Sequence, residues 1–298
     1  MNHIRNPGLV KSLMIDQSDA NPMNKGWAWF VLPVIAILAV VFVIPIAHLA
    51  SFSLRPRLGP GQVGEGFTLE HYVRFLGDPF YLGVLLDTLV IGLIVVSICM
   101  LLGYPVAYLL ARTRSAWRGL MVFMVLAPLL IATVIRNLGW FPILSDSGLV
   151  NSLLLWMGVI NDPLRLLNSR TGVIVALAHT FLPFTILALV TVIQKIGVDL
   201  EEAAQNLGAS PWTTFWKVVF PLSRPGLLAG YLVVFTSVIS AFTTPAMMGG
   251  KRVLVMSTFI EQQIRSVLNY PFGAAAAVVL MVVGCTLTML SLKQQRKD

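Results

Sequence analysis

The chain has 298 residues, of which 57% are hydrophobic and only 11% charged, with a mean hydropathy of +0.82. Water-soluble domains are about 45–50% apolar and about 25% charged, so this composition leaves too little polar surface for a soluble enzyme and far too much apolar content for a self-solvating disordered chain. The formal net charge of +8 then reads as anchoring charge at cytoplasmic helix ends rather than as a nucleic-acid surface.

In chain order, residues 1–26 are polar and read as a cytoplasmic segment. The apolar run 27–50 follows, longer than the roughly 7–15 residues of a signal-peptide core, so it reads as a retained membrane helix. Five more runs, 82–110, 120–135, 172–193, 227–242 and 272–292, approach the about 20 apolar residues that cross a bilayer, the third and fifth being shortest. A tail at 293–298 closes the chain. The expected fold is an all-α integral membrane protein with six transmembrane helices. Small residues at helical spacing, Gly172, Ala176 and Thr180 in the fourth run and Ala277, Gly284 and Thr288 in the sixth, permit close helix approach. Pro33, Pro45, Pro105, Pro128 and Pro183 interrupt the runs, and each withdraws a backbone donor and favours a kink or a break lining a cavity. Cys99 and Cys285 fall inside apolar runs and read as small buried hydrophobes, with no disulfide framework, metal site or cofactor implied.

An even number of spans puts both termini on one side of the membrane. Arg112, Arg114 and Arg118 crowd the short connection between the second and third runs, and such density outweighs charges spread through long loops. Both termini are therefore expected in the cytoplasm.

The polar loop 195–225, between the fourth and fifth runs, has the grammar of helices. Asp199 with Glu202 fits a capping box that starts a helix at Leu200, with acids in its first turn opposing the positive end of the dipole. Gly208 stands where a left-handed terminating residue is wanted, and Ser210 with Pro211 opens a second short helix through Trp212, Phe215 and Trp216. The first helix is too short to stand alone in water. Leu200, Ala203, Ala204 and Leu207 give it one apolar stripe opposite Glu201, Glu202, Gln205 and Asn206. Interfacial helices use Lys and Arg against anionic lipid, whereas this one carries acids and no base, so a protein groove is the better partner than the lipid surface.

Here the residues resemble a family. Glu202, Ala203, Ala204, three residues, Gly208, nine residues, then Val218, Val219, Phe220 and Pro221 is similar to the EAA loop of permease subunits of ATP-binding-cassette importers. Val218 and Phe220 stand for the usual Ile and Leu. The segment LLGYPVAYLLAR ending at Arg112, residues 148–167, 182–184 and 202–216, and SAFTTPAMMGG from Ser240 to Gly250 resemble the spermidine/putrescine subgroup. Ala241 stands where several polyamine permeases have Glu, and Asp87 where Asn is frequent.

The resemblance implies a bacterial inner-membrane permease that forms half of a translocation path. It implies two ATPase subunits on other chains, a second homologous permease and a periplasmic solute-binding protein, with lipid around it and no nucleic acid. Leu200, Glu201, Glu202, Ala203, Ala204, Leu207, Gly208 and Pro221 would then form the ATPase-coupling segment. The chain carries no phosphate loop of its own, because Pro245 stands where the leading glycine before Gly250 and Lys251 would be. Polyamine is the first solute implied, with amino-acid derivatives, other organic cations or ferric complexes as the alternative.

Asp87, His179, Trp140 and Phe242 are the candidate path residues. An intramembrane carboxylate is costly unless paired or hydrated, so Asp87 either meets a cationic solute or pairs near the outer interface with an arginine such as Arg136. His48 and His179 have packing as their commoner role, and Trp140, Phe141 and Trp156 read as outer-loop interface anchors. The Pro245 to Gly250 turn reads by resemblance as an outer gate. An intramembrane hydrolase is disfavoured for want of a nucleophile with a base or a zinc motif, since Gly208 to Trp212 lacks the final glycine of a nucleophile elbow. An ion-coupled secondary transporter is disfavoured for want of repeats and buried ion ligands.

Overall fold

A computed structural model describes the backbone of residues 25–295 and the side chains of 31–293. The expected cytoplasmic segment 1–26 and the tail 293–298 lie mostly outside these residues. By internal packing the chain divides into two units, Met1–Ser51 and Phe52–Asp298. In the first, helix α1 (Lys25–Ser53) contains Pro33 and Pro45 and is apolar on every face. Its side chains are exposed from 31 to 48, as suits a helix whose solvent is hydrocarbon.

The second unit opens with a small antiparallel hairpin, β1 (Arg57–Gly59) and β2 (Gln62–Val63), and helix α2 (Glu70–Gly77). Helix α3 (Pro79–Arg112) starts with Pro79 at its first position and with the Asp78 carboxylate accepting from the Phe80 amide at 2.9 Å. At 34 residues it is about 51 Å long, so it overruns the hydrocarbon layer.

Helix α4 (Arg118–Leu130) is followed by α5 (Thr133–Leu144) and α6 (Leu149–Trp156). The run 120–135 is thus not one helix. Pro128 removes a donor from the last turn of α4, Ile131 takes extended dihedrals (φ −96°, ψ 128°), and the chain restarts at Thr133. The stretch long enough to cross is Thr133–Trp156, with Arg118–Leu130 a shorter apolar helix before it. Trp140 and Phe141 accordingly sit on a helix, not in a loop, while Trp156 is exposed at the end of α6.

Helix α7 (Arg170–Ile193) is capped by Ser169, whose hydroxyl accepts from the Gly172 amide at 3.1 Å. After α8 (Val198–Asn206), the short α9 (Pro211–Thr214), a π-helical turn (Phe215–Val219) and α10 (Phe220–Ser240) form one rod of 30 residues. The expected second loop helix therefore merges into the fifth span. The physical cause is Pro221: it offers no N–H to the carbonyl of Lys217, and the turn before it widens, with the Phe220 amide reaching Phe215 O. Then come α11 (Thr243–Met248), α12 (Met256–Arg265) and α13 (Tyr270–Gln295). Among the described residues six helical stretches are long and apolar enough to cross a membrane.

The centre of the unit is α7 packed between α3 and α10, around buried Val95, Val96, Cys99, Val173, Leu177 and Val234. The close approach depends on missing side chains. A Cβ on Gly92 would meet Ile239 at 3.1 Å and Phe235 at 3.2 Å, and one on Gly226 would meet Val192 at 2.9 Å. An aromatic cluster of Phe75, Tyr81, Phe259 and Phe272 closes the opposite end of α3 from Arg112, with Tyr81 and Phe272 ring centres 4.9 Å apart. Cys99 is buried, whereas Cys285 is exposed on α13, contrary to the sequence expectation. Hydropathy marks it as apolar, and lipid accepts an apolar residue as readily as a protein core does. Gly226→Val should destabilise the bundle by about 1–3 kcal/mol through overpacking against α7, measurable as a lower thermal midpoint of the purified protein in detergent.

Candidate functional site

Helix α8 begins at Val198, two residues earlier than the capping pattern implies, with Gly197 at the N-cap and no side-chain cap hydrogen bond. Asp199 lies inside the first turn with Glu201, so the Asp199–Glu202 box does not form, and Asp199 opposes the positive end of the dipole from within the turn. At the other end Gly208 adopts φ +89°, and its amide and that of Ala209 reach back to Gln205 O (2.9 Å) and Ala204 O (3.0 Å). Ser210 then accepts from the Thr213 amide at 3.2 Å, with Pro211 at the first helical position.

The faces of α8 are divided sharply. Leu200 is 50% and Leu207 90% exposed, Glu202 and Ala203 are exposed, and Ala204 is half-buried. Glu201 is 7% exposed and turns into its own chain, so the acidic face opposite the stripe is not uniformly solvated. Arg112 Nη2 at the end of α3 lies 2.5 Å from Glu201 Oε1, and the Tyr108 hydroxyl donates to Glu201 Oε2 at 2.8 Å. Pro221 takes part as the cause of the π turn below this helix.

A cavity of about 590 Å³ opens where two helical runs are broken, at Ile131–Ala132 and at Ala241–Phe242. Backbone outside the helical ladder is tolerated at membrane depth only where it is buried in protein or lines a wet space. The Arg136 guanidinium bridges the first break, donating to Pro128 O at 2.6 Å and to Thr133 Oγ1 at 3.3 Å. At the second, the Ser257 hydroxyl donates to Ala241 O at 2.6 Å. The fully buried Asn137 ties the two restarted helices together, its Nδ2 donating to Thr244 Oγ1 at 3.2 Å. Thr133, Thr180, Ser237 and Thr244 add hydroxyls to the wall, and among the described residues Arg136 is its one charged member and no carboxylate lines it.

Residues 99–297 match the family described as binding-protein-dependent transport system inner membrane component. The chain belongs to that family. The permease is similar to the spermidine/putrescine transport system permease protein PotB of Escherichia coli (strain K12), 35% identical over 85% of this chain and 92% of the relative. The PotB protein of Haemophilus influenzae is 33% identical over 80% of this chain and 84% of its own length. A sulfate transport system permease, CysW of Synechocystis, is 29% identical over 76% and 82%. Among solved structures, a chain of a bacterial ABC transporter involved in the import of alginate has the same fold, with a TM-score of 0.71 at 21% identity over 92% of this chain and 97% of that one. The permease is thus a multi-pass inner-membrane transport subunit and not an enzyme.

The four candidate path residues do not converge in the permease. Phe242, 42% exposed, lines the cavity. His179 and Trp140 meet edge to face with ring centres 5.4 Å apart, beside the cavity rather than on its wall. Asp87 pairs with Arg170 at 2.5 Å, both side chains being partly exposed, and not with Arg136. Pro245 lies in a helix, α11, with the turn beginning only at Gly249. Tyr108 and Asn137 escaped the sequence reading, and Arg112 and Arg136 entered it only as connection charge and as a possible partner of Asp87. For Tyr108 and Arg112 a signal existed: polar ends four residues apart at the close of an apolar helix. Asn137→Leu should leave the buried Thr244 hydroxyl unpaired and cost about 1–3 kcal/mol, read as lower thermal stability and as faster protease cleavage within 240–250.

Proposed function

We propose that the permease forms half of the translocation path of an ATP-driven importer, and that α8 is the segment through which ATPase subunits on other chains drive it. The observation that carries this reading is the split of α8 into an exposed stripe, Leu200, Ala203 and Leu207, and one inward carboxylate, Glu201. A two-turn helix that offers its apolar face outward needs a partner, and burying Leu207 contributes roughly 1.5–3 kcal/mol, with the half-exposed Leu200 adding about half as much. The Glu201–Arg112 pair places α8 beside the arginine-rich connection after α3, which supports a cytoplasmic face there and cytoplasmic termini. The 590 Å³ cavity is walled by two broken helical runs, which suits a share in a path completed by a second, homologous permease. A periplasmic protein would deliver the solute, a role supported by the bacterial alginate ABC transporter solved in complex with an alginate pentasaccharide-bound periplasmic protein.

Kinship with PotB supports a polyamine as the solute. A second reading has its own support: the cavity carries Arg136 and Ala241 and no carboxylate, which favours an amino-acid derivative or another solute that is not a free polycation. In liposomes holding the assembled importer, putrescine or spermidine with the binding protein should raise ATP hydrolysis. Stimulation by another solute alone would keep the permease assignment and discard polyamine. Leu207→Asp should weaken retention of the ATPase by tenfold or more, on the order of one buried leucine, while membrane insertion stays unchanged. Full retention of the ATPase in that variant would overturn the docking role of α8.

A further inference from the structure

Along α3, Tyr104, Tyr108 and Arg112 recur every fourth residue and so share one face. Each polar end is engaged by α8 itself or by the segment that follows it. The Tyr104 hydroxyl lies 2.7 Å from Ser223 Oγ at the base of α10, Tyr108 donates to Glu201, and Arg112 pairs with it. The ion pair is shielded, with side-chain exposures of 17% for Arg112 and 9% for Glu201. Glu201 is the one buried residue of α8.

Besides this ion pair, α8 touches its own chain through the π turn and α9 that follow it, while Leu200, Ala203 and Leu207 face away. A shielded ion pair with an additional hydrogen bond resists separation strongly, because parting it strands a charge out of water. Helix α3 in turn is locked against α7 and α10, through Gly103 facing Thr185 and Gly92 facing Phe235, and those two helices supply Thr180 and Ser237 to the cavity wall. We propose that Glu201 is the positioning residue that carries movement of α8 into the bundle, by holding Arg112 and Tyr108 of α3. Its neighbour Glu202, the acid of the EAA pattern, is exposed and free for a partner chain. This inference rests on the coupling role assigned to α8 above.

The test uses the assembled importer in liposomes and reads solute taken up per ATP hydrolysed, a ratio that a merely structural defect leaves unchanged because it lowers both quantities together. Glu201→Gln keeps the shape and the acceptor for Tyr108 but removes the charge. It should retain the ATPase and its hydrolysis while uptake per ATP falls roughly tenfold, as should Arg112→Gln, and the exchanged pair E201R with R112E should recover part of the loss. Tyr108→Phe, which deletes one hydrogen bond and keeps the ring, should lower the ratio by about twofold to threefold, and it carries the test if the charge variants do not accumulate. An unchanged ratio in Glu201→Gln, or in Tyr108→Phe where it stands in, overturns the inference. If Leu207→Asp releases the ATPase while Glu201→Gln couples normally, only this inference fails. If Leu207→Asp keeps the ATPase, the coupling role of α8 fails with it.

Discussion

In hydrocarbon a peptide group without a partner costs several kcal/mol, and the architecture of this permease follows from where that demand is met inside helices and where it is not. Helices α3, α7 and α13 run for 34, 24 and 26 residues without a break and meet it internally, except where Pro105 and Pro183 withdraw a donor. Two interruptions, after Leu130 and after Ser240, lie on the wall of the same cavity. Each is compensated by a side chain: Arg136 reaches back to the carbonyl of Pro128, and Ser257 reaches the carbonyl of Ala241. Asn137 and Thr244 then bind the restarted helices to one another. Broken helix, polar side chain and cavity form a single device.

Hydropathy reads such a chain well at coarse grain, because six runs of apolar residues have few alternatives to six spans. It reads breaks poorly. The residues around Ile131 are as apolar as those on either side, so the run 120–135 looks continuous and the start of α5 is hidden. Pro128 was a signal, but proline is tolerated inside α1, α3 and α7, so its presence does not say which helix ends. The capping pattern at Asp199 misplaced the start of α8 for a related reason: a glycine before it offers another N-cap, and Asp199 serves the dipole equally well from within the first turn. Gly208, Ser210 and Pro211 were legible because each has a conformational demand that few residues meet.

The division of α8 was half legible. Periodicity located the stripe of Leu200, Ala203 and Leu207, but it could not tell a solvated acid from one that reaches into the bundle. Glu201 and Glu202 are adjacent and chemically alike, and only the position of Arg112 and Tyr108, about 90 residues earlier, separates them. Long-range pairing of this kind leaves no local trace. The same holds for Asp87, whose partner proves to be Arg170.

The π turn at Phe215–Val219 has a geometrical effect beyond accommodating Pro221. It inserts one residue more than an α-helix uses for that rise, so everything before it is rotated by about 100° about the rod axis relative to an unbroken helix. The azimuth at which Ser210 leaves the rod, and hence the compass direction in which Leu200 and Leu207 face, is set by that phase offset. Removing a single residue from the turn would swing the stripe through more than a quarter of a circle without altering one of its side chains.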